Sequence, residues 1–311
     1  MVSLKENLAN FFFEDDHSDK LYLKAGSLDY LAEGKALRSK ICIALGENFY
    51  LEKSQAALLG QTIEMIHNAT LIHDDVVDYS HFRRGSETLN SFYGNKKSVL
   101  VGDYILAKAI ADLSELNKPS LVAAIATALK SLVDGEIFQM EHTDPFDISE
   151  ENYLKLAKNK TGSLFAWSFS SVVDLKFGDD SLSKSMHEIG QELGILFQIK
   201  DDLLDFTVEN KTKALDLRNN NINFVFSLFK HSDIAIKNGF RNAQSIDDLT
   251  SDQINYLMDK KEIAERKLEQ RAIRIKNLVR SVCNEHLEEK YWRDFTSFVE
   301  SFIKKITMRT F

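Results

Sequence analysis

The residues best suited to chemistry lie in two short runs. The first, HDDVVDYSHFRRG at 73–85, sets Asp74, Asp75 and Asp78 at the end of an apolar stretch and follows them with Arg83 and Arg84. Helical character over Glu64–Tyr79 turns the chain by about 100° per residue. His67, Leu71, Asp74 and Asp78 then share one narrow stripe, with Asp75 on its shoulder. Carboxylates four apart on a helix repel each other, and anions near a helix C-terminus oppose its dipole. Something positive must compensate, and a hard divalent cation held through oxygens, with waters retained, meets that need.

The second run repeats the device. In GQELGILFQIKDDLLDF, residues Gln191, Gln198, Asp201, Asp202 and Asp205 gather on one side of a helix made largely of Leu, Ile and Phe. Both runs have the form Asp-Asp-x-x-Asp. A single copy reads equally well as a solvated helix end; two copies at equivalent helical positions do not. Facing each other, they would supply more carboxylates than one magnesium needs, which points to several ions clamping a multiply charged ligand. Such a ligand also needs cations from the chain. Arg83 and Arg84 offer guanidinium forks that match phosphate oxygens. EGKALRSK offers Lys35 and Arg38, three apart on one helix face, and NKTG offers Lys160 beside Thr161. Singly each is an ordinary surface cation; with the two acidic stripes they make a diphosphate site. No GxxxxGK[ST] loop is present, so a P-loop nucleotide site is excluded.

The elements that must carry these residues are helices. The chain has 311 residues, 44% of them apolar, with only 2 prolines and 13 glycines. So few breakers favour long helices, and no alternating β-branched segments sit between paired turn signals. Breaks are predicted at Gly46–Leu51, Tyr79–Thr88, Asn117–Ser120, His142–Ser149, Lys176–Ser181 and Asn219–Asn223, with a charged amphipathic helix over Lys260–Arg280. The expectation is one all-α domain over 1–311, a bundle of about ten helices or more with no linker. Cys42 and Cys283 are too few and too distant for a disulfide framework or a zinc site. The net charge of −8 excludes a general nucleic-acid binder. No signal-peptide pattern opens the chain and LVAAIATAL is too short to span a bilayer, so a cytoplasmic location is expected.

At this point the residues resemble the trans-isoprenyl diphosphate synthases, specifically their long-chain polyprenyl branch, from about Tyr30 to the C-terminus. EMIHNATLIHDDVVDYSHFRRG looks like that family's first aspartate-rich region, and FYGNKKSVLVGDYILAKA like the segment after it. LVDGEIFQM, KLAKNKTGSLFAWS and IGQELGILFQIKDDLLDF continue in the family's order. The resemblance implies an all-α bundle around a deep central cavity, a homodimer, and repeated trans condensation of an allylic diphosphate with isopentenyl diphosphate. It implies magnesium, about two or three ions per site, on Asp74, Asp75, Asp78, Asp201, Asp202 and Asp205. Arg83, Lys160, Thr161 and Gln198 would contact the allylic diphosphate, and Lys35, Arg38, His67 and Arg84 would hold isopentenyl diphosphate. The released diphosphate would take the final proton, and His73 is read as structural. A quinone side chain is the natural use of the product, with a peripheral membrane contact where it is released.

Chain length turns on Ala69 and Thr70, about one helical turn before Asp74. In the family the chain resembles, bulky residues there look like a floor to the tunnel and small ones let the tail pass toward Ile66, so the resemblance implies a product of about C40, within C35–C50. Two segments depart from the family pattern. Where GGKR-x-RP is usual, the chain reads EGKALRS, keeping Lys35 and Arg38 but placing Glu33, Ala36 and Ser39 elsewhere in it. After the second aspartate run, NKTKALDLRNNNINFV keeps Lys211 but has Asn220 and Asn221 for a second Gly-Lys, and Asn223, Phe224 and Val225 for Thr-Leu-Pro. Loss of that lysine is expected to weaken diphosphate binding without abolishing it. Two competing readings are a non-catalytic regulatory subunit of a heteromeric synthase and a terpene cyclase. Two complete aspartate motifs disfavour the first, and the Arg-Arg-Gly tail disfavours the second.

Overall fold

The computed structural model describes residues 36–83, 85–206, 215–219 and 221–308. They contain twelve α-helices and one hairpin of two-residue strands. The chain divides into two compact units, Met1–Val122 and Ala123–Phe311.

The first unit is built on α1 (Leu37–Asn48), α2 (Lys53–Val77) and α3 (Leu89–Ser114), with the hairpin β1 (Phe82–Arg83) and β2 (Ser86–Glu87) between α2 and α3. α2 packs against both neighbours. Its apolar spacing is the reason: Leu59, Ile63, Ile66, Ala69 and Ile72 are all fully buried along it, a stripe of the breadth a core-facing helix requires. The N-terminus of α1 is capped from α2. Buried Glu64 accepts the amide of Ser39 through Oε1 at 3.0 Å, satisfying one of the orphan donors of the first turn.

α4 (Pro119–Glu141) contains the boundary between the units. The second unit continues with α5 (Glu150–Ala157), a π-helical turn at Lys158–Gly162, α6 (Ser163–Phe177) and α7 (Asp180–Leu204). Short helices follow, α8 (Leu215–Arg218), α9 (Phe224–Ser227) and α10 (Ile234–Arg241), then a 3₁₀ turn at Ile246–Asp248. The long α11 (Ser251–His286) and α12 (Glu289–Thr307) complete it. Every residue of α6 from Ser163 to Val173 is buried, as befits a helix enclosed on all sides. α7 packs on α6, on the π turn and on α11. Local signals fix the starts: Ser149 accepts from Asn152 at the head of α5, Asp179 from Ser181 and Leu182 at α7, and Thr250 with Gln253 forms a capping box at α11. Further breaks at 228–233, 242–250 and 287–288 were not among those expected.

Candidate active site

The first aspartate cluster closes α2. The helix stops at Val77, two residues before the expected end, with Asp78 as its cap. Tyr79 adopts φ 52°, and the Ser80 amide reaches the Asp75 carbonyl at 2.9 Å while that of Tyr79 reaches Val76. This is the Schellman arrangement, here without the glycine that makes the left-handed residue cheap. Asn90 at the head of α3 donates to the carbonyls of Asp75 and Ser80, which ties the helix end down.

Within the motif the three carboxylates have different environments. Asp75 is 1% exposed, and its Oδ1 accepts from Arg83 Nε at 2.8 Å across the turn made by the hairpin. Burial raises the pKa of this carboxyl, and the Arg83 interaction opposes the rise. Asp74 is half-buried and Asp78 exposed. Helical rotation explains the sorting, because positions one and five share a face while position two turns inward. His67 is half-buried, Thr70 donates to its carbonyl at 2.8 Å, and Ala69 and Ile66 are fully buried. Arg38 lies half-buried in the first turn of α1. His73 faces α3, with Nε2 3.2 Å from the Val99 carbonyl and 3.4 Å from Asp103. Gly102 leaves room for it, since a Cβ there would stand 2.2 Å from that nitrogen.

The second cluster closes α7 and repeats the sorting. Asp202 is buried and accepts three hydrogen bonds: from Tyr153 Oη at 2.6 Å, from the Phe224 amide at 2.7 Å and from Gln198 Nε2 at 2.9 Å. Burial pushes this carboxyl up to about 8, with the charge of Asp216 adding, while the three donors pull the other way. Asp201 and Asp205 are half-buried, and Asp205 accepts the Asp216 amide at 3.0 Å. Gln198 also accepts from Thr161 Oγ1 at 2.7 Å, so the π turn is wired to the motif. Lys160, from the same turn, reaches Glu136 at 2.6 Å and Gln139 at 2.9 Å, both on α4. A π turn adds a residue to the helical winding and often marks a functional segment. Gly194 of α7 permits the approach, since a Cβ there would lie 2.7 Å from Gly162 Cα.

Tyr153, Phe224, Asn223, Asn90, Glu136 and Gln139 complete these clusters and were not singled out in the sequence as site residues. Glu136 and Gln139 stand in the quoted block LVDGEIFQM, and Asn223 and Phe224 were marked only as departures from the family pattern; Tyr153 and Asn90 carry no local signal. Lys35, Arg84 and Lys211 lie outside the described residues. Asn221, expected to mark a lost cation, donates to Asp216 Oδ1 at 3.2 Å.

Among the described residues no group of three or more His, Cys, Asp or Glu side chains forms a ready-made metal cage. Each cluster instead presents a first and a third aspartate that are not fully buried. That donor set suits magnesium, which keeps waters and binds through one or two carboxylates plus substrate phosphates. No described helix is long and apolar enough to cross a membrane.

The polyprenyl synthetase family model matches residues 22–258. The octaprenyl diphosphate synthase of Haemophilus influenzae is 34% identical over 182 residues, 58% of this chain and 55% of that protein. The chain thus spans about half the length of that curated relative. The fold matches the geranylgeranyl pyrophosphate synthetase from the archaeon Geoglobus acetivorans with a TM-score of 0.80 at 24% identity, covering 98% of this chain and 97% of that one. It also matches a polyprenyl synthase from Caulobacter crescentus CB15, complexed with calcium and isoprenyl diphosphate, with a TM-score of 0.74 at 23% identity, covering 99% and 98%. Both structures carry the all-α isoprenoid synthase architecture expected from the sequence.

Proposed function

The chain belongs to the polyprenyl synthetase family, and on that premise we propose that it is a trans-prenyltransferase. In this reading it extends farnesyl diphosphate with isopentenyl diphosphate to a polyprenyl diphosphate of about C40. The observation that carries the reading is the identical sorting of the two Asp-Asp-x-x-Asp motifs, each with its second carboxylate buried on protein donors and its first and third less enclosed. Asp74, Asp78, Asp201 and Asp205 hold the metal ions. Asp75 and Asp202, grouped with them in the sequence, instead fix the helix ends and the partners Arg83 and Gln198. Magnesium, when bound, neutralises the diphosphate leaving group as the allylic C–O bond breaks.

The remaining work falls to the chain. Arg83 has Nε committed to Asp75, so its terminal nitrogens meet the phosphate. Lys160 is held in place by Glu136 and Gln139 before substrate arrives, and Thr161 is oriented by Gln198. Lys35, Arg38, His67 and Arg84 hold isopentenyl diphosphate, with Lys211 contributing positive charge toward the substrate diphosphates. The alkene attacks the allylic cation, and the departing diphosphate takes the proton that is lost. A homodimer, a peripheral membrane contact for release and a quinone side chain as destination belong to the same proposal. Incorporation of labelled isopentenyl diphosphate tests it. Asp74→Ala and Asp201→Ala should each lose about 100-fold or more in kcat with the fold intact by circular dichroism. Chelation of divalent ions should stop the reaction. Retention of wild-type turnover in both variants would refute the assignment.

A further inference from the structure

The segment after the second aspartate run departs from the pattern of the family it resembles, and that segment builds an amide bracket around the C-terminal end of α7. Asn223 is fully buried and uses every polar atom of its side chain. Its Oδ1 accepts the Val225 amide at 2.9 Å and caps α9. Its Nδ2 donates to the Asp202 carbonyl at 3.2 Å and to Asp216 Oδ2 at 2.7 Å. Asn221 takes the other oxygen of Asp216 through Nδ2 at 3.2 Å, and its own amide donates to the Asp216 carbonyl at 2.8 Å. Held on both oxygens, Asp216 directs its backbone N–H onto Oδ2 of Asp205 at 3.0 Å. One buried asparagine therefore touches the motif at its second residue directly and at its third residue through one intermediary.

We infer that Asn223 is a positioning residue for the second aspartate cluster, setting the orientation of Asp205 through Asp216, with Asn221 completing the bracket. The inference rests on the proposed reading of Asp201 and Asp205 as metal ligands. Groups that orient a ligating carboxylate govern metal affinity, and their loss typically costs about 10- to 100-fold. The bracket is made of neutral amides. It therefore fixes Asp216 without cancelling the negative charge that the cluster presents, which a lysine at Asn221 would do in part.

The test is Mn²⁺ binding in the presence of inorganic diphosphate, followed by electron paramagnetic resonance on the full chain in an Asp74→Ala, Asp78→Ala background. That background silences the first cluster. Asn223→Ser keeps an oxygen able to cap α9 but removes both amide donors. It should weaken Mn²⁺ binding about ten-fold with the helical circular dichroism of the background retained, although the two lost buried hydrogen bonds lower the thermal midpoint. Unchanged affinity in Asn223→Ser would overturn the inference. If Asn223→Ser does not fold, Asn221→Ala carries the same test from an exposed position: about three-fold weaker binding supports the bracket, and unchanged binding overturns it. Adding Asp201→Ala and Asp205→Ala to the background gives the reference. If these remove no binding, the metal reading of the cluster fails and the inference falls with it. If they do remove binding while the asparagine variants change nothing, only the inference fails.

Discussion

The two aspartate motifs are alike in sequence, but their residues do different work. Asp202 supports the Tyr153 hydroxyl and the Phe224 amide, both buried donors, whereas Asp201 beside it is half-buried. Asp202→Ala would strand both donors, each costing about 1–3 kcal/mol when left unmade in the interior. It should therefore lower unfolding free energy by about 3 kcal/mol, against under about 1 kcal/mol for Asp201→Ala, as read from urea denaturation. Equal midpoints for the two variants would contradict the division of labour. Half of this division was legible in the sequence, because helical rotation already sets Asp75 to one side of the Asp74–Asp78 line. The partners were not legible. Tyr153 lies 49 residues and Phe224 22 residues from Asp202, and neither has a spacing that announces the contact. Asn223 was legible only as a departure from a pattern, and its cap and its two amide bonds depend on the fold.

At the scale of elements, the long helices and the breaks at 78–88 and 142–149 followed from apolar periodicity and turn residues. The short helices α8 to α10 did not, because four- to eight-residue elements held by tertiary contacts leave no period to count. The π turn was equally invisible, since it depends on how α7 packs on the turn through Gly194. In Gly194→Ala the new methyl meets backbone, which cannot swing away. The variant should lose about 2 kcal/mol of stability and weaken diphosphate binding through Lys160 and Thr161; a wild-type melting curve would contradict it. The Ser39 departure has its own compensation. Its amide caps onto buried Glu64, a bond that proline could not make. Proline is sterically tolerated in a first helical turn, so Ser39→Pro removes that bond together with the one the Ser39 hydroxyl donates to the Ala36 carbonyl at 3.0 Å, and Ser39→Ala, which loses only the second, separates the two. Ser39→Pro should cost about 1–2 kcal/mol in chemical denaturation, although proline stands there in the pattern the chain resembles. An equal or higher midpoint would sink the explanation.

For the whole molecule, the family and the all-α architecture were readable because the motif blocks stand in one order along the chain and helix breakers are few. Product length is a property of the assembled protein. In the proposed function it rests on Ala69 and Thr70, small and buried on the helix that ends in the first cluster, since a packed wall admits no extra methylene where a side chain fills the space. The measurement that tests the central claim most directly supplies the protein with magnesium, farnesyl diphosphate and labelled isopentenyl diphosphate, and sizes the products after the phosphates are removed. The expected result is a ladder of prenyl chains ending near C40, about the length that small residues at these two positions allow. No incorporation with any allylic primer would contradict the claim that this chain is itself an elongating enzyme.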